Sequence, residues 1–156
     1  MGNIIEVRNL TKEYPLKDKC VKVLKSISLH VERGEFVAIM GPSGSGKSTL
    51  LHTLSGLDKP TSGQSIIVGN EINKMNDRAI SQFRRTTLGF IFQSYNLIEN
   101  LTVEENILFP LLLDGKKRKD VEGKLDRILL DVGLSDRRYH KPRELSGGQQ
   151  QRTAIA

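Results

Sequence analysis

The chain has 156 residues, of which 37% are apolar and 27% charged, with a formal net charge of +6 at pH 7. No stretch approaches the roughly 18 apolar residues of a membrane-spanning helix, so we expect none. The basic clusters, such as Lys116–Lys119, lack interleaved aromatic side chains, which argues against a nucleic-acid surface. No secretory signal is evident, and the single cysteine, Cys20, cannot form an internal disulfide; both observations favour the cytoplasm.

The first half of the chain predicts mainly strands. Ile4–Val7 and Val21–Val31 are rich in β-branched residues, and the second alternates apolar and polar positions. The continuous apolar run Phe36–Met40 predicts a strand that is buried on both faces, as in a parallel sheet. Lys47–Ser55 predicts a short helix, and Ile66–Val68 a further strand.

The second half predicts mainly helices. Amphipathic patterns predict helices over Asp77–Thr87 and Lys116–Val132, and Gly89–Phe92 predicts a short strand. Thr102 and Glu105 match a capping box, which indicates the start of another helix. No internal repeat or flexible linker is evident, so residues 1–156 are expected to belong to one domain.

The strongest motif is Gly41-Pro42-Ser43-Gly44-Ser45-Gly46-Lys47-Ser48, which matches G-x-x-x-x-G-K-[ST]. Its glycines allow a tight turn whose N–H groups can surround an anion, and the following helix adds its positive end. We expect the Lys47 ammonium to reach the β- and γ-phosphates of a nucleotide and the Ser48 hydroxyl to ligate Mg²⁺. The predicted nucleotide contacts are Gly41, Ser43, Gly44, Ser45, Gly46, Lys47, Ser48 and Thr49.

A second glycine-containing loop lies about 100 residues further on, at Leu145-Ser146-Gly147-Gly148-Gln149. Ser146 and Gln149 have the spacing of a capping box, and two glycines expose N–H groups at the predicted helix start, which suits an anion. An ordinary helix start is the alternative, but it leaves the two glycines unexplained.

With these two loops, the whole chain resembles the ATP-binding cassette (ABC) ATPases. The resemblance implies an α/β fold, a P-loop NTPase of ABC ATPase type. Such a fold has an N-terminal β-rich subdomain, a RecA-like core and a helical subdomain, here about residues 95–150. The first loop then corresponds to the Walker A motif, residues 41–49, and the second to the signature, residues 145–149.

The resemblance also implies roles for single residues. Phe92-Gln93 resembles the family's Q-loop, and Gln93 would sense Mg²⁺ and the attacking water. Lys47 and Gln93 are the candidate catalytic residues. Tyr14 lies where an adenine-stacking aromatic is expected. The alternative for Gln93 is an exposed loop residue without a role, and the alternative for Tyr14 is a half-buried tyrosine beside Pro15. In a head-to-tail dimer, the residues contacting ATP of the second subunit would be Ser146, Gly147, Gly148 and Gln149.

The function that the resemblance implies is that of an ATP-binding subunit of an ABC transporter, peripheral on the inner face of the cell membrane. It would hydrolyse ATP to ADP and phosphate and couple ATP binding and hydrolysis to transport, with export as the expected direction. Transmembrane permease subunits would be its partners, and no nucleic acid is expected. The segment 95–107 is similar to the branch that exports lipoproteins, macrolides or antimicrobial peptides. The alternatives are an ABC ATPase without a transport role and a non-catalytic nucleotide-binding module.

By the same resemblance, a Walker B aspartate, a catalytic glutamate and a switch histidine would follow Ala156. The sequence is therefore either part of a longer chain or a stand-alone fragment. In either case we expect residues 1–156 alone to bind Mg-ATP but to hydrolyse it poorly. We also expect Phe36–Met40 to lack an inner neighbouring strand and to expose apolar side chains and backbone groups.

Overall fold

The computed structural model describes residues 2–17 and 19–156, and the chain divides into two compact units, Met1–Leu88 and Gly89–Ala156. The first unit contains β1 (Asn3–Leu16), β2 (Lys19–Glu32), α1 (Lys47–Leu54), β3 (Ser62–Ile67), β4 (Asn70–Glu71) and α2 (Asp77–Thr87). The second contains α3 (Val103–Leu113), α4 (Arg118–Asp131) and α5 (Gly147–Ile155). Short 3₁₀ turns occur at Ile72–Lys74, Ser135–Arg137 and Pro142–Glu144.

The first unit is built on an antiparallel sheet with the strand order β2-β1-β3-β4. β1 and β2 form a long hairpin, in which Asn3 lies opposite Glu32 at one end and Leu16 opposite Lys19 at the other. Register shifts between Val7 and Glu13 interrupt the regular pairing of β1 with β2, as β-bulges do. The predicted N-terminal β-rich part is confirmed as this sheet.

The core of the first unit lies between the sheet and the two helices. Leu10 and Leu24 from the hairpin are buried with Leu50 and Leu54 from α1 and with other apolar side chains of the unit. Close packing explains one glycine in the sheet: a Cβ at Gly63 would lie 2.3 Å from the Asn9 carbonyl oxygen. Because α1 presents one apolar face to this core, the sheet fixes the direction of α1.

The strand predicted for Phe36–Met40 is wrong. These residues form no strand; Phe36 and Met40 are 94% and 88% exposed. A strand needs a lateral partner for its backbone groups, and within residues 2–17 and 19–156 no strand pairs with this segment. The expectation that the segment exposes its apolar side chains is confirmed.

The strand predicted for Gly89–Phe92 is also wrong. The segment is irregular, and in the described part of the chain it joins no sheet. The rings of Phe90 and Phe92 stack on each other with their centroids 5.9 Å apart. Phenylalanine and isoleucine favour extended structure, but a segment becomes a strand only when another strand pairs with it.

The helix predictions are confirmed, with small changes at the ends. α2 covers the predicted Asp77–Thr87, and α4 covers Arg118–Asp131 within the predicted Lys116–Val132. α1 ends at Leu54, one residue before the predicted end. The Thr102 hydroxyl accepts a hydrogen bond from the N–H of Glu105, whose carboxylate accepts one from the N–H of Thr102, so the predicted capping box opens α3.

The second unit packs its three helices around a core rich in leucine. Leu108 of α3, Leu125 and Leu129 of α4, Leu134 after α4 and Leu145 before α5 are all buried in it. Leu145 is the residue immediately before the predicted signature serine. The core therefore holds the start of α5 through its neighbouring residue.

A buried carboxylate in α3 forms ion pairs that connect α3 to α4 and to Arg138. Glu104 is 5% exposed and accepts hydrogen bonds from Arg118, at 2.7 Å, and from Arg138. Arg138 also pairs with Glu122 and Asp126 of α4. Burial acts to raise the pKa of Glu104, but the hydrogen bonds from the two arginines outweigh it and lower that pKa. Glu104 is thus an ionised, buried group whose charge is balanced by the arginines.

Replacing Glu104 by alanine should lower the free energy of unfolding of the second unit by roughly 3 kcal/mol, because Arg138 loses its buried partner. Urea unfolding of the full chain, followed by circular dichroism, measures the change. Asp126→Asn is the matched control, because the Asp126 side chain is 58% exposed in its pair with Arg138 and should contribute about 0.5 kcal/mol. Equal losses in the two variants would contradict the role given to Glu104.

The contribution of Glu104 also predicts a pH dependence. Because its folded-state pKa is lowered, the stabilisation is fully present above the unfolded-state pKa of about 4.3 and is lost as the pH falls through the lowered value. The difference in unfolding free energy between the wild type and Glu104→Ala should therefore shrink below about pH 4. A difference that grew on acidification would contradict the assignment.

Candidate functional site

The glycine-containing loop of residues 41–46 leads directly into α1 and lies against β2. Gly44 and Gly46 have φ angles of +79° and +91°, which side chains rarely adopt. A Cβ at Gly46 would lie 3.1 Å from Val23 Cγ1 and 3.3 Å from the Val23 carbonyl oxygen. The loop therefore requires glycine at position 46 for its backbone angle and for its contact with the hairpin.

The backbone N–H groups of this loop are available to a ligand. Leu50 N donates to the Gly46 carbonyl oxygen at 2.8 Å, which closes the first turn of α1. No residue of the described chain accepts a hydrogen bond from the N–H groups of Gly44, Gly46, Lys47 or Ser48. Unpaired N–H groups at the start of a helix give a partial positive charge that suits a phosphate.

The side chains at the start of α1 add to this positive site. Lys47 Nζ donates to the carbonyl oxygens of Gly41 and Pro42, at 2.9 and 2.8 Å, so its ammonium group lies across the loop. The Ser48 side chain is exposed. No aspartate or glutamate occurs between Glu35 and Asp58 in the sequence, so no acidic residue of the loop opposes an anion. The residues present fit a polyphosphate.

Tyr14, the candidate aromatic residue, lies near the turn of the hairpin and takes part in a charged cluster. The Tyr14 hydroxyl donates to Asp58 Oδ2 at 2.6 Å, and Tyr14 as a whole is 39% exposed. Lys12 Nζ lies 4.7 Å from the centre of the Tyr14 ring and donates to Asp58 Oδ1 and to the Lys59 carbonyl oxygen, both at 2.6 Å. We name Lys12, Tyr14 and Asp58 the tyrosine cluster.

Sequence reasoning missed Lys12 and Asp58. Lys12 lies two residues before Tyr14 in a strand, a spacing that places side chains on the same face, and this signal was available. Asp58 lies 44 residues after Tyr14, and only the folded chain brings the two together.

The cluster shifts the pKa values of two of its members in opposite directions. The hydrogen bond to the Asp58 carboxylate raises the pKa of the Tyr14 hydroxyl, and partial burial adds to the effect. Burial acts to raise the pKa of Asp58, but the hydrogen bonds from Lys12 and Tyr14 outweigh it and lower that pKa. At neutral pH Asp58 is therefore a carboxylate and Tyr14 a neutral phenol.

The remaining predicted residues lie in the second unit. Gln93 is exposed in a turn in which Tyr95 N donates to the Phe92 carbonyl oxygen. α5 begins at Gly147; the Ser146 hydroxyl accepts from Gln149 N at 3.3 Å, and Gln149 Oε1 accepts from Ser146 N at 2.8 Å. The capping box predicted from the sequence is confirmed.

The predicted residues thus form two groups, one in each unit. Tyr14 and residues 41–49 belong to the first unit, and Gln93 and residues 146–149 to the second. Within the second group, Gly147 and Gly148 are exposed, and a Cβ at Gly147 would lie 3.7 Å from Tyr95 Oη. The turn that carries Gln93 therefore lies close to the start of α5.

Two further observations concern metals and membranes. Within residues 2–17 and 19–156, no group of three histidine, cysteine or acidic side chains is arranged to hold a metal ion. Among those residues, no helix is both long and apolar enough to cross a bilayer.

Comparison with known proteins identifies the family of the chain. A family model described as ABC transporter matches residues 24–156. The chain belongs to the ABC transporter family. As an ATP-binding domain of that family, it has the α/β cassette fold that the sequence predicted.

Relatives of this ABC chain match it along its whole length. It is 46% identical to the lipoprotein-releasing system ATP-binding protein LolD of Geobacter metallireducens, over all of this chain and 69% of that protein. It is also 46% identical to the macrolide export ATP-binding/permease protein MacB of Salmonella typhimurium, over all of this chain and 24% of that protein. The chain thus corresponds to part of each relative.

A solved structure confirms the cassette fold. The dimeric, post-hydrolysis state of the ATP-binding cassette MJ0796, bound to ADP and Pi, superposes with a TM-score of 0.89 at 40% identity. The match covers 97% of this ABC chain and 67% of that one. The predicted family and fold class are therefore confirmed, and ABC ATPases as a family bind and hydrolyse ATP.

The capping box of α5 gives a prediction about stability. Ser146→Ala should lower the free energy of unfolding by about 1 kcal/mol, because Gln149 N loses its side-chain acceptor. Ser146→Asp should keep most of the stability, because aspartate is also a good N-cap residue. Thermal unfolding of the two variants beside the wild type measures the difference; equal losses would contradict the capping role.

Proposed function

We propose that this chain forms the nucleotide-binding part of an ABC exporter, which binds ATP at residues 41–49 and couples its hydrolysis to ADP and phosphate to export. The observation that carries the proposal is the first loop, where unpaired N–H groups and the Lys47 ammonium meet at the start of α1. LolD and MacB, whose names refer to lipoprotein release and macrolide export, support the direction of transport.

Each part of the loop has a role in this proposal. The N–H groups of Gly44, Gly46 and Lys47 donate to the phosphate oxygens, and the Lys47 ammonium exchanges its loop carbonyls for the β- and γ-phosphates. The Ser48 hydroxyl would be a ligand of Mg²⁺, and the family resemblance assigns Gln93 the same role. The ion would supply charge neutralisation at the phosphates. The other loop contacts proposed are Gly41, Ser43, Ser45 and Thr49.

The second group of residues acts on a second ATP-binding subunit. Ser146, Gly147, Gly148 and Gln149 present exposed backbone at the start of α5, which suits the γ-phosphate of an ATP bound by a head-to-tail partner. MJ0796, itself described as dimeric, supports this arrangement.

We further propose that residues 1–156 are part of one nucleotide-binding domain, with a helical subdomain at about 95–150. It would be cytoplasmic and peripheral on the membrane, bound to transmembrane permease subunits.

Lys47→Ala tests the phosphate site. Loss of a charged donor to the phosphates should weaken Mg-ATP binding to the full chain roughly ten- to a hundredfold, as measured by isothermal titration calorimetry. Lys74→Ala is the matched control, because Lys74 is an exposed lysine of the same unit paired with Glu71. It should leave the affinity unchanged.

An equal loss of affinity in the Lys47 and Lys74 variants would show a general effect of charge and would contradict the site. Unchanged affinity in Lys47→Ala would contradict it as well. Circular dichroism of each variant establishes that the fold is intact before the affinities are compared.

A second test concerns hydrolysis by residues 1–156 alone. We propose that turnover by these residues is very slow, because no carboxylate of the loop is available to polarise water and Asp58 is already bound to Lys12 and Tyr14. Steady-state release of phosphate from Mg-ATP measures it, with Lys47→Ala as the background. Turnover of several per second that disappears in Lys47→Ala would overturn this part of the proposal.

A further inference from the structure

Tyr14 is anchored both by its backbone and by its hydroxyl. Its backbone lies in the hairpin, opposite Val21 of β2, and its hydroxyl donates to Asp58 at 2.6 Å. A surface tyrosine that makes no such bond can change rotamer freely, since it loses little by doing so. This ring, although 39% exposed, has a fixed orientation.

Asp58 is in turn attached to the helix that begins at the phosphate loop. The N–H groups of Leu57 and Asp58 donate to the His52 carbonyl oxygen, at 2.9 and 3.1 Å, in the last turn of α1. α1 begins at Lys47. The hydroxyl of Tyr14 is therefore connected to the phosphate loop through Asp58, the two backbone hydrogen bonds to His52 and the short helix α1.

Lys12 is the third member of the tyrosine cluster and lies over one face of the Tyr14 ring. It is 9% exposed, and its ammonium group donates to Asp58 Oδ1 and the Lys59 carbonyl oxygen while it lies 4.7 Å from the centre of the ring. A buried ammonium needs such partners, and an aromatic face attracts it. Lys12 thus lies over one face of Tyr14, and the part of the residue that is exposed to solvent is the surface left for a planar ligand.

We propose that Lys12 and Asp58 are positioning residues that hold Tyr14 as a one-sided platform for the adenine ring of ATP. The inference rests on the proposed ATP site and adds two residues to it. Neither residue touches the nucleotide; each acts through the orientation of the ring. Their loss should therefore affect recognition of the base and leave recognition of the phosphates unchanged.

The experiment compares two ligands on the full chain, Mg-ATP and inorganic Mg-tripolyphosphate, which lacks the base. Titration calorimetry gives the affinity of each variant for both. Tyr14→Ala should weaken ATP binding roughly tenfold and leave tripolyphosphate unchanged, because it removes the stacking surface. Lys47→Ala should weaken both ligands.

Two variants act on the Tyr14–Asp58 bond from opposite sides, one by weakening it and one by removing it. Asp58→Asn removes the carboxylate charge, and Tyr14→Phe removes the hydroxyl but keeps the ring. Both should weaken ATP binding a few-fold, with no change for tripolyphosphate. Lys12→Arg keeps a cation and should retain most of the affinity, whereas Lys12→Met should not. Glu13→Gln is the control, because Glu13 is an adjacent acid paired with Lys22 outside the cluster.

A spectroscopic readout reports the bond directly. In the wild type, the hydrogen bond to the Asp58 carboxylate raises the pKa of the Tyr14 hydroxyl. In Asp58→Asn that pKa should fall toward the ordinary tyrosine value of about 10. Absorbance near 295 nm follows phenolate formation, and subtraction of each curve in a Tyr14→Phe background removes the signals of Tyr95 and Tyr139.

The outcomes separate this inference from the proposed function. If Tyr14→Ala selectively weakens ATP binding while Asp58→Asn and Tyr14→Phe do not, the positioning role is overturned and the ATP site stands. If Tyr14→Ala has no selective effect, the platform itself is overturned. Equal losses for ATP and tripolyphosphate in both Asp58→Asn and Tyr14→Phe would show a distorted phosphate loop and would also overturn the positioning role.

Discussion

The first unit depends on a loop that must keep a fixed shape while N–H groups such as those of Gly44 and Gly46 stay unpaired within the described part of the chain. A loop whose amides bond to the protein is stable but cannot receive a phosphate; a loop whose amides are free needs support from elsewhere. Here the support comes from outside the loop. Val23 packs against Gly46, and α1 holds the loop's end through its buried side chains Leu50 and Leu54. The antiparallel sheet is the platform for both contacts.

The second unit also keeps an exposed backbone segment, the start of α5, in a fixed position. The start of α5 exposes two glycines, which contribute no side-chain packing of their own. Its position is fixed by Leu145 in the core and by the reciprocal bonds of Ser146 and Gln149. The network of Glu104 and Arg138 then ties α3, α4 and the segment before α5 together. In both units, buried groups hold in place a backbone segment that is left open.

The sequence predicted what depends on local chemistry and missed what depends on distant partners. The helices, the capping boxes at Thr102 and Ser146 and the glycine loop were predicted because neighbouring residues specify them. The strands over 36–40 and 89–92 were predicted wrongly, because an apolar pattern describes a side-chain environment and a strand also requires another strand. Asp58 was missed for the same reason: its partner Tyr14 is distant in sequence. The roles of Tyr14, of residues 41–49, of Gln93 and of residues 146–149 remain predictions.

The exposed segment 36–40 has a practical consequence. It is apolar throughout, carries neither charge nor proline, and lies with Phe36 and Met40 almost fully in solvent. Segments of this composition pair readily with copies of themselves when their backbone groups are free. Concentrated preparations of these 156 residues should accordingly aggregate through β-pairing of this segment, and a charged substitution there should improve solubility without touching the loop that follows it.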